Sequence, residues 1–247
     1  MRADWITPDW PALPRVRAVA TTRSGGVSAG VYASLNLGRH VGDAPDHVAE
    51  NRRRLRAELD LRKEPSWLTQ THSVRVAHLP AGDFQNSLSG DAAVAQSADA
   101  VCAIMTADCM PVLFCDRAGT TVAAAHAGWR GLAAGVLEAT VAAMQTPAED
   151  ILVWLGPAIG AQAYEVGDEV RTALVREHAD AEQAFAPAHP GKWLCDLYQL
   201  ASQRLRRAGI GRIYGGGFCT YTDRERFFSY RRDGECGRMA TLIWLQN

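Results

Sequence analysis

Residues 100–126 read AVCAIMTADCMPVLFCDRAGTTVAAAH, in which three apolar runs are separated by short segments richer in polar residues. The run 100–105 is apolar throughout, which is typical of a strand buried on both faces. The runs 112–115 and 121–125 predict two more strands. Pro111 cannot donate a hydrogen bond to a β-ladder, so it supports a chain break before the second of these strands. This segment therefore predicts a buried sheet.

The patterns on both sides of this segment mix strands with helices. We expect helices at 43–59 and 132–144 and two more that follow Asp168 and Asp196, and we expect Asp43, Asp168 and Asp196 to cap the helices that they precede. Further strands are predicted at 17–22, 67–68, 74–77, 153–155, 213–214, 227–230 and 240–245. Because strands and helices do not alternate strictly, we expect an α+β or mixed α/β fold with mixed sheets flanked by helices. The length of 247 residues favours a single globular domain over residues 1–247.

The composition limits the classes of partner. With 47% hydrophobic and 21% charged residues, the chain has the make-up of a soluble globular protein. A formal net charge of −1 gives no reason to expect nucleic acid or a membrane surface as a partner. The start of the sequence lacks an apolar stretch, and no run approaches the ~18 apolar residues that a membrane span needs, so we expect no secretory signal and a cytoplasmic protein. Its six cysteines are too sparse for a disulfide scaffold and are expected to be reduced.

Three residues at predicted strand ends have the chemistry of metal ligands. His72, Cys109 and His126 each stand where a strand gives way to a turn, and the ends of strands in one sheet can meet in space. Histidine and cysteine are preferred ligands of Zn²⁺. Three such ligands leave one tetrahedral position open for water, which is the arrangement of a catalytic zinc. The pattern therefore predicts a zinc enzyme that acts on a small polar substrate.

Other interpretations of the same residues remain open. A histidine at a strand end or a cysteine after a buried strand is commonly a structural residue. Cys109 is also a candidate thiolate nucleophile, with His72 or His126 as its base and Asp108 or Asp91 orienting the histidine. A protein that only binds ligands and contains a structural metal would instead hold its zinc without an open position.

Seven stretches of the chain carry a resemblance to a known family. They are TTRSGGVS at 21–28, SLNLG at 34–38, QTH at 70–72, TADCMPVL at 106–113, HAGWRG at 126–131, GPAI at 156–159 and FSYRRDG at 228–234. In this order they resemble the bacterial multicopper polyphenol oxidase family, which has a laccase domain. Its members are also described as purine nucleoside phosphorylases, adenosine deaminases and a peptidoglycan editing factor. His72, Cys109 and His126 match the zinc ligands of that family.

The resemblance implies a zinc-dependent enzyme for purine nucleosides. Phosphorolysis of inosine, adenosine or methylthioadenosine needs an anion site, and a zinc-activated water at C6 of adenosine would give deamination. Cys109 would be a metal ligand or thiolate, and Asp108 would orient a histidine or shuttle a proton. The candidate substrate-binding residues are Arg23, Asn36, Gln70, Arg130, Arg231 and Arg232, with Asn36 and Gln70 equally suited to stabilise turns.

Two other activities in the family description are alternatives. An editing amidase that removes a wrong L-serine from a UDP-MurNAc precursor would use the same metal or thiolate. A copper-dependent polyphenol oxidase is disfavoured, because several coppers need many histidines, and this sequence has seven histidines and no His-x-His pair. A single Cu²⁺ bound in place of zinc is compatible with the same three ligands.

Overall fold

The structure is a computed structural model that describes residues 4–80 and 88–246. The strands in these ranges are β1 (Val16–Ala20), β2 (Ser66–Trp67), β3 (Val76–Leu79), β4 (Ala92–Ala95), β5 (Val101–Thr106), β6 (Met110–Asp116), β7 (Val122–Ala127), β8 (Ile151–Leu155), β9 (Glu165–Gly167), β10 (Phe185–Pro187), β11 (Lys192–Cys195), β12 (Arg212–Gly215) and β13 (Met239–Leu245). The α-helices are α1 (Pro45–Glu58), α2 (Trp129–Ala134), α3 (Val136–Met144), α4 (Asp168–Glu177), α5 (Leu197–Arg207) and α6 (Tyr230–Asp233). Short 3₁₀ turns occupy Gly30–Tyr32, Ala148–Asp150 and Ala179–Ala184.

The strands form three sheets. The largest has the order β12-β8-β6-β7-β4-β3, with parallel pairs at its two edges and antiparallel pairs between them. A four-stranded sheet has the order β1-β13-β5-β2, in which only β2 and β5 run parallel. Three short antiparallel strands, β10-β11-β9, make the third sheet. The fold is therefore mixed α/β with mixed sheets, as predicted.

Alternation along the strands of residues 100–126 sets the layers. In β5, Cys102 and Ile104 pack into a core between the two larger sheets, whereas Val101 and Ala103 face a second core that also contains Leu55 of α1. Since neighbouring side chains of a strand point to opposite faces, β5 is covered on both sides. Every residue of β5 is buried, which confirms the strand predicted from its apolar run.

Helices cover the other face of the largest sheet. Val112 and Phe114 of β6 and Ala123 of β7 pack in one core with Leu137 of α3 and Leu200 of α5. Small alanine side chains on β7 let α3 lie close to the sheet, which increases van der Waals contact in this core. Within the described residues, no helix is both long and apolar enough to cross a membrane.

The predicted helix 132–144 is two helices in the structure. It begins earlier, at Trp129, and it is interrupted by Gly135, whose φ of +96° is left-handed. A glycine adopts this conformation without the steric cost that a Cβ would bring, so the chain can turn between α2 and α3. The pattern of apolar residues continued across Gly135 and did not reveal the break.

Only one of the three predicted aspartate caps is observed. The Asp196 carboxylate accepts a hydrogen bond from the Gln199 amide at 3.0 Å, as an N-cap does. Asp43 precedes the N-cap position, which Ala44 occupies, and its carboxylate instead accepts a hydrogen bond from Ser28. Asp168 lies inside the first turn of its helix. For Asp43 and Asp168 the prediction was wrong, because tertiary partners compete for the carboxylates.

The strand predicted at 227–230 was also wrong. Phe227 and Phe228 lie outside any strand, and both are fully buried in a small apolar cluster that also contains Met239. The Ser229 hydroxyl then accepts a hydrogen bond from the Arg232 amide and caps helix α6. Consecutive aromatic residues favour a strand, but here a polar cap ends the extended segment after two residues.

Candidate metal centre and its pocket

His72, Cys109 and His126 come together at one point of the structure. One potential ligand atom from each lies within 4.8 Å of the others, and Nε2 of His72 is 3.8 Å from Sγ of Cys109. His72 belongs to the loop after β2, Cys109 to the turn between β5 and β6, and His126 to β7. This is the only group of three such residues in ranges 4–80 and 88–246.

A single buried carboxylate, that of Asp91, organises both histidines. One of its oxygens accepts hydrogen bonds from the His72 amide and from Nδ1 of His126, both at 2.9 Å. The other oxygen accepts from the amides of Thr71 and Ser73 at 3.0 and 2.6 Å. With Nδ1 of His126 held by Asp91, Nε2 is the nitrogen left for a metal.

Hydrogen bonding and charge favour the thiolate of Cys109 and the charged form of His126, which must lose its proton when a metal binds. Burial opposes ionisation of the Cys109 thiol, but the imidazoles of His126 and His72 lower its pKa below the usual value. Burial also opposes a charged His126, yet Cys109 and Asp91 raise its pKa. Because the thiolate is the form of cysteine that binds metals, the histidines prepare Cys109 as a ligand.

Gly128 gives the ligands the space that they need. A Cβ at this position would lie 2.7 Å from Sγ of Cys109 and 3.2 Å from Cδ2 of His72. The first of these distances is shorter than any real contact of a Cβ with a heavy atom. The glycine therefore permits close approach of the two ligands, rather than a left-handed turn, since its φ is −78°.

Asp108 lies beside the ligands but does not orient a histidine. Its carboxylate accepts hydrogen bonds from the Thr220 hydroxyl at 2.6 Å and from the Arg231 amide at 2.7 Å. It is held at a φ of +94°, which is unusual for a residue other than glycine. Asp91, the other aspartate offered for that role, orients His126, and Asp108 instead links the metal loop to Thr220 and to Arg231 of α6.

The three ligands open into a cavity of about 540 Å³. Gln70, Arg130 and Arg231, three of the expected substrate-binding residues, line it. Arg130 and Arg231 are exposed at its wall. Gln70 is less available, because its side-chain amide donates to and accepts from the backbone of Met105, at 2.8 Å each.

Arg23, Asn36 and Arg232 are not part of this cavity wall. Nε of Arg23 donates to the Ala33 carbonyl at 2.9 Å. Asn36 is fully buried and accepts hydrogen bonds from the Gly38 and Arg238 amides. The Arg232 guanidinium donates to three backbone carbonyl oxygens, those of residues 220, 221 and 227. This geometry favours a structural role for these three side chains.

One family model, described as "Multi-copper polyphenol oxidoreductase laccase", matches residues 17–246. The chain belongs to this laccase family. The resemblance found in the sequence motifs is thereby confirmed, and the match extends from β1 to β13.

This laccase-family chain has similar relatives along its whole length. It is 57% identical over 244 residues to purine nucleoside phosphorylase PA4543 of Pseudomonas aeruginosa, a match that covers 98% of this chain and 99% of that protein. It is 56% identical over 240 residues to purine nucleoside phosphorylase YfiH of Escherichia coli, with 97% and 98% covered. The crystal structure of Neisseria meningitidis protein NMB0706 matches with a TM-score of 0.95 at 51% identity, covering 99% of this chain and 100% of that one.

The sequence interpretation missed several residues of the site. Tyr164, Tyr230 and Arg238 also line the cavity, and they follow the last ligand, His126, by 38, 104 and 112 residues, with no regular spacing that the chain could reveal. The sequence offers Asp91 only as an alternative to Asp108 for orienting a histidine beside a thiolate Cys109. One signal for Asp91 existed: it follows Gly90 and directly precedes a buried strand, as a ligand-orienting residue at a strand end would.

Proposed function

We propose that this protein is a zinc-dependent enzyme that cleaves purine nucleosides with phosphate. The observation that carries the proposal is the cluster of His72, Cys109 and His126 in the wall of a cavity that also presents aromatic rings and exposed arginines. Relatives with 57% and 56% identity are named purine nucleoside phosphorylases, which supports the same substrate class. On this proposal the partner is a small molecule.

The donor set suits a zinc ion. Two imidazole nitrogens and one thiolate are ligands that Zn²⁺ prefers. A carboxylate commonly orients a ligand histidine in zinc sites, and Asp91 is hydrogen-bonded to His126 in this way. When bound, zinc would supply a Lewis acid with an open coordination position. Cu²⁺ would bind the same donors, but a single group of three in the described ranges supports one metal rather than a multicopper array.

Different residues of the cavity are suited to bind the purine and the phosphate. Tyr164 and Trp129 offer aromatic faces for a purine, and burial raises the pKa of Tyr164, so its phenol stays neutral. Arg130 and Arg231 are suited to hold a phosphate by charge-assisted hydrogen bonds. An oxygen of this phosphate would bond to C1′ as the bond from C1′ to N9 breaks. The electron pair leaves with N9, and the purine takes up the proton that the attacking phosphate loses.

Adenosine deamination is a second activity that the same cavity would support. Water adds to C6 and ammonia leaves, so a group is needed that accepts one proton and donates another. Asp108 supplies the only carboxylate among the described residues of the cavity wall, and hydrogen bonds from the Thr220 hydroxyl and the Arg231 amide fix its position. We assign the proton transfer to Asp108 on this ground.

The test is turnover by metal-defined protein. The full chain is stripped with a chelator, then reloaded with zinc or copper, and supplied with inosine and phosphate, with adenosine, or with a muramoyl-serine nucleotide. We expect hypoxanthine and ribose 1-phosphate from inosine with zinc alone, and no turnover by the stripped protein. Activity that requires several coppers per chain, or release of serine without any nucleoside turnover, would contradict the proposal.

A further inference from the structure

A second cavity adjoins the metal pocket. It has a volume of about 910 Å³ and shares His40, Gln70 and Met105 with the wall of the metal pocket. Its far wall includes Arg52 and Trp67. A nucleoside held at the metal centre would leave this second space open to another ligand or to an extension of the substrate. We call the second space, with Arg39, His40, Arg52 and Trp67 in its wall, the arginine lobe.

Arg52 carries a buried charge that is only partly satisfied. The residue is 8% exposed, and its Nε and Nη2 donate to the Leu37 carbonyl at 3.0 and 2.8 Å. Its guanidinium stacks on Trp67, with 4.0 Å from Cζ to the ring centroid. Among residues 4–80 and 88–246 it has no salt-bridge partner, and its Nη1 donates to none of them. Because a buried charge without a counter-ion is costly, an anion in the arginine lobe would stabilise Arg52.

The neighbours of Arg52 add to the positive charge. Burial and Arg39 lower the pKa of Arg52 to about 10. Burial, Arg238 and Arg52 together lower the pKa of His40, so these groups lie close enough to repel one another. Arg39 is exposed and donates no hydrogen bond within the described part of the chain. Like charges gathered at a cavity favour the binding of an anion.

The acidic residues of the lobe do not neutralise this cluster. Oε1 of Glu64 accepts a hydrogen bond from Nε1 of Trp67 at 2.8 Å, and Oε2 lies 3.7 Å from Nη1 of Arg56. Glu64 therefore offsets part of the charge but leaves Nη1 of Arg52 without an acceptor. The other acidic residue in the wall, Asp99, is exposed to solvent.

We propose that the arginine lobe is a binding site for a phosphate dianion. Planar guanidinium groups such as those of Arg52 and Arg39 match the oxygen geometry of phosphate. The phosphate belongs either to inorganic phosphate or to the ester of a nucleotide whose nucleoside part occupies the metal pocket. The second source rests on the proposed function, because it needs a nucleoside beside His72, Cys109 and His126.

The experiment is calorimetric titration of the zinc-loaded full chain at constant ionic strength with inorganic phosphate, adenosine and AMP. The variants are Arg39→Ala, which disturbs no hydrogen bond of the described structure, and Arg52→Met, which keeps an apolar stem on Trp67. Arg176→Ala, an exposed arginine paired with Glu177, is the control. We expect the arginine variants to weaken binding of a phosphate group about tenfold, as the loss of one charge-assisted hydrogen bond does, and the control to bind as wild type.

The source of the phosphate follows from the ligand that responds. If AMP binds about tenfold tighter than adenosine, and Arg39→Ala removes the difference, the lobe holds a nucleotide ester. If adenosine and AMP bind alike while inorganic phosphate weakens in Arg39→Ala, the lobe holds free phosphate. Unchanged affinities for both phosphate ligands in Arg39→Ala would overturn the inference, even if Arg52→Met does not fold. Inosine phosphorolysis is measured alongside, so failure of the lobe is distinguishable from failure of the proposed function.

Discussion

Asp91 is the residue on which the geometry of the candidate metal centre depends most. Its carboxylate bonds to the loop that carries His72 and to the ring of His126, and both are ligands. In Asp91→Asn, an amide nitrogen replaces one acceptor oxygen and leaves backbone amides without a partner. We expect the affinity for zinc to fall about 10–100-fold, measured by competition with a chelator. Asp150→Asn, a change in an exposed pair with Arg117, is the control. Equal zinc affinity in Asp91→Asn and wild type would show that Asp91 does not position the metal ligands.

Cys109 supplies the only sulfur among the three ligands. Cys109→Ala should bind zinc weakly and lose turnover of inosine and adenosine, because two histidines alone do not hold the ion. The side chain adds little to the core, so thermal unfolding of the metal-free protein should change little. Metal content, rate and unfolding are measured on the same preparation, with Cys219→Ala as the control. A wild-type rate in Cys109→Ala would exclude Cys109 from the reaction.

The turn that leads into α2 depends on a residue without a side chain at Gly128. A methyl group there would meet Sγ of Cys109 at 2.7 Å, so the ligands would have to move apart. We expect Gly128→Ala to fold but to lose at least tenfold in zinc affinity, which corresponds to ~1.4 kcal/mol and is a typical cost of overpacking. Gly211→Ala is a matched control, since nothing lies within 4 Å of a Cβ at that position. The same zinc affinity for both variants would show that a methyl group at position 128 does not displace the ligands.

Helix α5 begins with a hydrogen-bonded cap. Because the Asp196 carboxylate accepts from the Gln199 amide, Asp196→Ala should lower the free energy of unfolding by about 1 kcal/mol. The control is Asp46→Ala, an exposed aspartate in the first turn of α1 that is not its cap. Chemical denaturation compares the two variants. An Asp46→Ala protein that loses as much stability as Asp196→Ala would mean that the general helix dipole, and not the cap, accounts for the effect.

The reactivity of the thiols reports on the packing of the whole molecule. Burial raises the pKa of Cys102, Cys115 and Cys195 to about 12, so their thiolates are scarce at neutral pH. We expect these three to resist iodoacetamide at pH 8 until the protein unfolds, whereas the half-buried Cys219 is labelled in the native state. Peptide mass spectrometry after timed labelling gives the rates. Labelling of Cys102 as fast as that of Cys219 would contradict a core packed between the two larger sheets.

Much of the fold could be predicted from local patterns. The apolar runs of β5, β6 and β7 are buried on both faces, so nearly every residue in them must be apolar, and this constraint is visible in the chain itself. Residue chemistry likewise indicated the ligand types, because few side chains other than histidine and cysteine suit zinc. The motifs shared with the laccase family added the correspondence of His72, Cys109 and His126 to that family's ligands.

Other features depend on contacts between residues far apart in the chain. Asp91 and His126 are 35 residues apart, and Asp108 meets Arg231 at a separation of 123. Asp43 and Asp168 resembled Asp196 in sequence, yet only Asp196 caps a helix, because the others have partners elsewhere. A carboxylate bonds to whichever donor the folded chain brings nearest, and local sequence does not contain that information. The cavity beside Arg52 likewise depends on distant segments, because its wall combines residues of α1 and β2 that come together only in the folded chain.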